Sequence, residues 1–139
     1  CGLGTALDGM KGTAPGAAAG EALEAFSAEY SQVSEDGSGN FIFAPQAYDA
    51  VMLMAISAAA NGVTGPEIAS GLVAASSGGE KCIGVACIAL AADGVDVDYV
   101  GASGEIELNE AGDPTAATYD IWTTEGDVNP VLKSVDFGS

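Results

Sequence analysis

Leu23, Phe26, Tyr30 and Val33 recur at intervals of three, four and three residues, which sets them on one face of an amphipathic helix. Glu21 and Glu24 fall at its start and Glu29 on its outward side, and the first turn of a helix favours negative charge. A polar turn-forming linker follows from Ser34 to Asn40. The segment Phe41-Ile42-Phe43-Ala44-Pro45 then leads into the strongest helical pattern in the chain. Tyr48, Val51, Met52, Ala55, Ile56 and Ala59 keep the three-four rhythm, and Asn61-Gly62 is a stop signal. The opposite face carries Ala50, Ala58 and Ala60 without charge, so this helix is expected to be buried nearly all round. A third helix starts at Gly65-Pro66-Glu67, where Pro66 sits in a first turn that has no use for its missing N–H. Ile68, Leu72 and Ala75 form its inward stripe.

Shorter elements flank these helices. Gly9 to Thr13 reads as a short strand entering a Pro15-Gly16 loop. After the Ser76–Gly79 loop and a pair of cysteines, Ile88, Ala91 and Ala92 mark a short helix ending at Asp93-Gly94. Beyond Gly101 the period switches to two. Ile106 and Leu108 alternate with Glu105, Glu107 and Asn109, the pattern of a half-exposed strand. Asn109 to Pro114 is a turn, and Tyr119, Ile121 and Thr123 alternating with Thr118, Asp120 and Trp122 give the return strand of a hairpin. Helices first and a hairpin last predict an α/β or α+β architecture, with no internal repeat.

Composition narrows the chemistry. A chain of 139 residues is expected to form one domain, and at 48% hydrophobic it is not a disordered acidic tail. Three lysines and no arginine stand against 20 Asp and Glu, for a formal charge of −17. Such a surface repels phosphate, which excludes nucleic acid as a partner and excludes docking on an anionic bilayer through basic charge. With no histidine, no Ser-His-Asp or Cys-His relay can be assembled within the chain, and no His-ligated metal. No spacing singles out one pair of carboxylates for acid–base hydrolysis. An alternative role for the acidity is an extracellular calcium-binding or structural module. It would draw on Asp93, Asp96 and Asp98, then Glu107, Asn109, Glu110 and Asp113, but this run lacks the ligand spacing of an EF-hand. The plainer reading is solubility in a salty medium, where screening relieves self-repulsion.

Cys82 and Cys87 are separated by Ile83-Gly84-Val85-Ala86 and form either a disulfide or two buried apolar thiols. A disulfide requires an oxidising compartment. Cys1-Gly2-Leu3-Gly4 fits either a lipid-modified lipoprotein start or an internal stretch of a longer chain. No apolar run approaches the ~20 residues that span a bilayer.

Several motifs in order resemble one family. Lys81-Cys82 through Cys87, Ala89-Leu90-Ala91-Ala92-Asp93-Gly94 and Asp96 through Gly104 resemble the C-terminal part of the periplasmic branched-chain amino-acid binding proteins, the substrate-binding subunits of ABC importers. The run Glu105 to Pro114, the strand Ala117 to Trp122, the Ala47-Tyr48-Asp49-Ala50-Val51 helix opening and the segment Gly9 to Pro15 continue the likeness. Members are several hundred residues long and bury a ligand between two α/β lobes, and this chain looks like roughly their last third. The resemblance therefore implies an α/β, type I periplasmic binding-protein-like fold. Residues 1–35 would lie in the second lobe and 41–75 would return to the first. Residues 76–139 would supply a disulfide loop, crossing segments and the hairpin.

The same resemblance implies a non-enzymatic protein without cofactor or metal, at the periplasmic or extracellular face of the membrane, with a lipid anchor, if any, upstream. Its partners would be an amino-acid-like solute and a membrane permease. Phe43 matches a pocket-lining aromatic beside an interlobe crossing, or else packs under the hinge. Tyr48 stands at the family's tyrosine–aspartate motif, where it caps and packs the helix or touches ligand, and Thr13 lies near another crossing. Cys82 and Cys87 match a disulfide staple in a surface loop. The charge imbalance carries its own test: the melting temperature is expected to rise as NaCl is added from low ionic strength. A melting temperature indifferent to salt would refute the screening argument.

Overall fold

The computed structural model describes residues 4–34 and 42–138. After a 3-10 turn at Gly4–Leu7 come β1 (Lys11–Pro15), α1 (Glu21–Val33), α2 (Ala44–Asn61) and α3 (Gly65–Gly71). A second 3-10 turn at Ala74–Ser76 precedes β2 (Glu80–Ile83), α4 (Ala86–Ala92), β3 (Val97–Gly101), β4 (Gly104–Glu105), β5 (Ala117–Thr123) and β6 (Val131–Phe137). The strands form two three-stranded sheets, one in the order β1-β5-β6 and the other β2-β3-β4. The mixed α/β class expected from the sequence is what the chain adopts.

The core sits where α2 lies against the second sheet. Met52, Leu53 and Ile56 of α2 pack with Ala75, Cys82, Cys87, Ala91, Val97 and Tyr99. β2 and β3 are parallel, and α4 bridges them, as a parallel pair requires a long crossover. Val97, Tyr99 and Gly101 point inward along β3. α3 opens with Thr64, whose hydroxyl and backbone N–H donate to Glu67 Oε2 at 2.7 and 3.0 Å, and those contacts, the hydroxyl's first, hold the Glu67 carboxyl below its usual range. Buried Ser57 of α2 donates to the Ile68 carbonyl at 2.7 Å, fastening α3 alongside.

Asp49 joins the helix to the sheet. It is 2% exposed, and all four of its partners are donors. Tyr99 OH and the Ala102 N–H donate to Oδ1 at 2.8 and 2.7 Å, while the N–H and Oγ–H of Ser103 donate to Oδ2 at 2.8 and 2.6 Å. Ala102 and Ser103 are the two loop residues of the β3–β4 hairpin, so a side chain of α2 satisfies both loop amides. Gly101 makes room for this, because a Cβ there would lie 2.6 Å from Asp49 Oδ2.

Several expectations are corrected. Residues 105–109 do not pair with 118–123. Glu105 ends β4 against Val100, and Leu108 makes only an isolated bridge with Pro114. β5 instead lies between β1 and β6, so the C-terminal hairpin is β5–β6. α2 begins at Ala44, four residues before Tyr48, and is not buried all round: Val51 and Met54 are 59% and 45% exposed. The Cys82–Cys87 disulfide forms, but it is buried in the core between β2 and α4 rather than on a surface loop. Closing so short a loop contributes about 2 kcal/mol. Phe41 and the linker residues 35–40 lie outside the described residues.

Two outcomes follow from the Asp49 junction. Asp49→Ala leaves two loop amides and a buried phenol without an acceptor and should cost about 3 kcal/mol in urea unfolding. Burial, reinforced by neighbouring Asp49, holds the Tyr99 phenol protonated far above its ordinary value of 10.0. Because the native pKa is the higher one, stability is complete below about pH 10 and declines above it, as the unfolded chain releases this proton and the native chain does not. Tyr99→Phe should flatten that alkaline decline, leaving the contributions of Tyr48, whose phenol is raised by burial and by Glu29 and Asp49, and of Lys81, whose ammonium is raised by its hydrogen bond to Glu105.

Candidate functional site

β1 delivers the chain to a junction between the two sheets. The Gly16 N–H donates to the Thr118 carbonyl at 2.9 Å, and the Ala18 N–H donates to the Ser103 carbonyl at 3.1 Å. Gln46, in the first turn of α2, donates through Nε2 to the Gly16 carbonyl at 2.7 Å. These contacts anchor the Pro15–Ala18 segment to β5, to the β3–β4 turn and to α2. A cleft opens on each side of it.

The first cleft, of about 490 Å³, is walled by Pro15, Leu23, Ile42, Pro45, Trp122 and Val131. Its polar side chains are Gln46, Asp120 and Asn129. An apolar enclosure with a few placed polar groups is the usual make-up of a small-molecule site. The second, of about 520 Å³, runs between the sheets past Asp49, Leu53, Ser103, Ile106, Tyr119 and Phe137. In that groove both Asp49 oxygens are committed to the β3–β4 turn, Glu105 pairs with Lys81, and Asp136 accepts the Thr118 hydroxyl.

The strand register builds the first cleft. Gly12 faces Trp122, and Ala14 faces Asp120, so all four share one side of the sheet. The indole lies flat on Gly12, where any Cβ would overlap the ring. The Asp120 carboxylate approaches Gly16 and accepts the Ser134 hydroxyl at 2.6 Å. A β-bulge shifts the β5–β6 register between Ile121 and Trp122, so that Trp122 faces Val131 while Ile121 faces Lys133. The extra residue turns Val131 onto the cleft side and leaves Lys133 on the other.

Phe43 stands at the N-cap of α2 in a left-handed conformation, φ 64°, and is 61% exposed. Among the described residues it is the one non-glycine with positive φ, a geometry that costs about 1–2 kcal/mol. It borders the first cleft through its neighbours Ile42 and Pro45 without lining it. Tyr48 packs its ring against Phe26 of α1, centroids 5.2 Å apart, and joins the edge of the core. Thr13 is exposed and pairs with Ile121, on the opposite side of the sheet from Trp122. The structure thus does not bring Phe43, Tyr48 and Thr13 together. Gln46, Asp120 and Trp122, which share the cleft, were not singled out by the sequence. Trp122 as the chain's single tryptophan, on an expected strand, was the available signal.

Among the described residues, no group of three or more His, Cys, Asp or Glu side chains converges to hold a metal ion, and no helix is long and apolar enough to cross a membrane. Asp98 pairs with Lys81 at 3.3 Å, and Asn109 Oδ1 accepts the N–H groups of Ala111 and Asp113 within its own turn.

Residues 6–127 match the family described as the receptor family ligand binding region. No curated protein and no solved structure matches the chain significantly. The matched family has the type I periplasmic-binding-protein-like fold and binds small molecules, typically without catalysis. A match from the first 3-10 turn to the β5–β6 loop, on an α/β chain whose ligand-sized cleft opens beside α2, leads to one conclusion: this chain belongs to the receptor family ligand binding region.

Proposed function

We propose that the chain is part of a solute-capturing clamp, the substrate-binding component of an ABC importer. It would hold an amino acid or a close analogue between two lobes and present it to a membrane permease, at the periplasmic or extracellular face. In this reading residues 1–35 belong to the second lobe, 41–75 to the first, and the later segments cross between them. The observation that carries the reading is the Trp122 cleft, whose apolar walls and sparse polar groups suit a small solute and whose residues come from β1, α1, α2, β5 and β6 or their flanks. Segments so distant in sequence meeting at one site can register hinge closure as well as occupancy.

A ligand that binds the folded state raises its stability by about 2.7 kcal/mol at a hundredfold excess over Kd. Thermal unfolding with a panel of L-amino acids, branched-chain members first, should therefore give a saturable rise of several degrees for at least one. Trp122 emission should change over the same concentrations, since the indole forms a wall of the cleft. A panel that moves neither signal would refute solute capture.

A further inference from the structure

We infer that the Trp122 cleft receives the cationic end of its solute, an ammonium group, and rejects a carboxylate. This rests on the solute-capture reading above and specifies which chemistry that site selects.

The argument is a census of charge around the cleft. Among the described residues, Asp120 is the one ionisable side chain lining it. Its carboxylate accepts the neutral Ser134 hydroxyl, and among the described residues no cation pairs with it. Gln46 gives one N–H of Nε2 to the Gly16 carbonyl and keeps a second neutral N–H, while its Oε1 is a buried acceptor with no hydrogen-bond partner among the described residues. Asn129 Oδ1 accepts the Thr124 hydroxyl at 3.0 Å, which leaves Asn129 and the Trp122 indole as further neutral N–H donors. The N-terminus of α2 adds only a partial positive charge, and Pro45 in its first turn has no N–H to give.

The three lysines are all placed elsewhere. Lys133 faces Ile121 and Lys11 faces Thr123, both on the reverse side of the sheet from Trp122. Lys81 belongs to the other sheet, where Glu105 at 2.7 Å and Asp98 hold it. Lys133 pairs with Ile121 in the regular part of the β5–β6 ladder, which keeps it off the cleft side. Continued in register, β6 would set Leu132 opposite Trp122, and the bulge brings Val131 there instead without carrying the lysine across. The indole face beside a carboxylate is a recognised cradle for an ammonium group. The chain's charge of −17 adds a long-range field of the same preference.

The test compares probes matched in size and opposite in charge, by thermal unfolding and calorimetric titration of the protein. Leucinamide and cadaverine carry ammonium groups without a carboxylate, whereas N-acetyl-leucine and glutarate carry carboxylates without an ammonium. At least one cationic probe should bind at least tenfold more tightly than its anionic counterpart. Asp120→Asn, which keeps the Ser134 contact, should erase that preference without lowering the melting temperature of the unliganded protein. Anionic probes binding as well as the cationic ones would overturn the inference, as would an unchanged preference in Asp120→Asn. If an amino acid from the panel above binds while the cationic probes do not, the inference falls and solute capture stands. Silence from every probe and every amino acid removes both.

Discussion

A single buried carboxylate holds the two halves of this molecule in register. Asp49 projects from α2 into the β3–β4 turn and accepts four hydrogen bonds there, two of them from the amides of a two-residue hairpin loop. Such amides face inward and would otherwise be stranded away from water. Among the described residues no cation accompanies it: the ion pairs present are those of Lys81 with Asp98 and Glu105. The charge is balanced by oriented dipoles alone, an arrangement that tolerates burial only while every donor stays in place. The next residues in the chain of contacts are Ser103 and Ala18, whose backbone bond fixes the segment that separates the two clefts. Site geometry therefore descends from a helix–turn contact rather than from the cleft's own side chains.

Legibility from sequence followed how far each element's surroundings were one-sided. α1 has one wet and one dry face, so its periodicity located it closely, whereas α3 starts at Gly65 as expected but ends at Gly71, leaving Leu72 and Ala75 of its expected stripe beyond it. Asp49 stood out in the sequence only as part of the Ala47-Tyr48-Asp49-Ala50-Val51 helix opening, and the structure gives it a structural role through the turn it holds. The strands were harder. β2 is only Glu80-Lys81-Cys82-Ile83, too short and too charged to show alternation, and β3 is buried at every second position with tyrosine among its inward residues. β6 carries no signal because all seven of its residues are exposed. The hairpin was misassigned for a related reason. Ile106 and Leu108 do face the core, but they do so from an irregular stretch whose amides bond Ser76 Oγ and the Asn109 turn instead of a neighbouring strand.

The cleft was the least readable feature, since it depends on pairings between distant segments. Nothing local to Trp122 shows that Gly12 lies beneath it, and nothing local to Val131 shows that a bulge turns it inward. Once the pairings are known, the chemistry is simple. Glycines at 12 and 16 admit a ring and a carboxylate, the bulge selects Val131 over Leu132 for the wall, and Gln46 ties the floor to α2. The strained backbone at Phe43 lies at the same helix terminus, where the chain turns sharply into α2. Family membership and this geometry both point to ligand recognition.

The open strand at the margin of the β1-β5-β6 sheet has a further bearing on how the protein behaves in bulk. β6 presents Val131, Leu132, Val135 and Phe137 to solvent along an unpaired rim, which is a template onto which a neighbouring copy could add. Mutual repulsion among strongly anionic molecules is the barrier that keeps such rims apart. Electrolyte that eases crowding of like charges inside each fold also lowers that barrier between folds. Conformational and colloidal stability are thus set against each other, and the ionic strength that best preserves the monomer is an intermediate one.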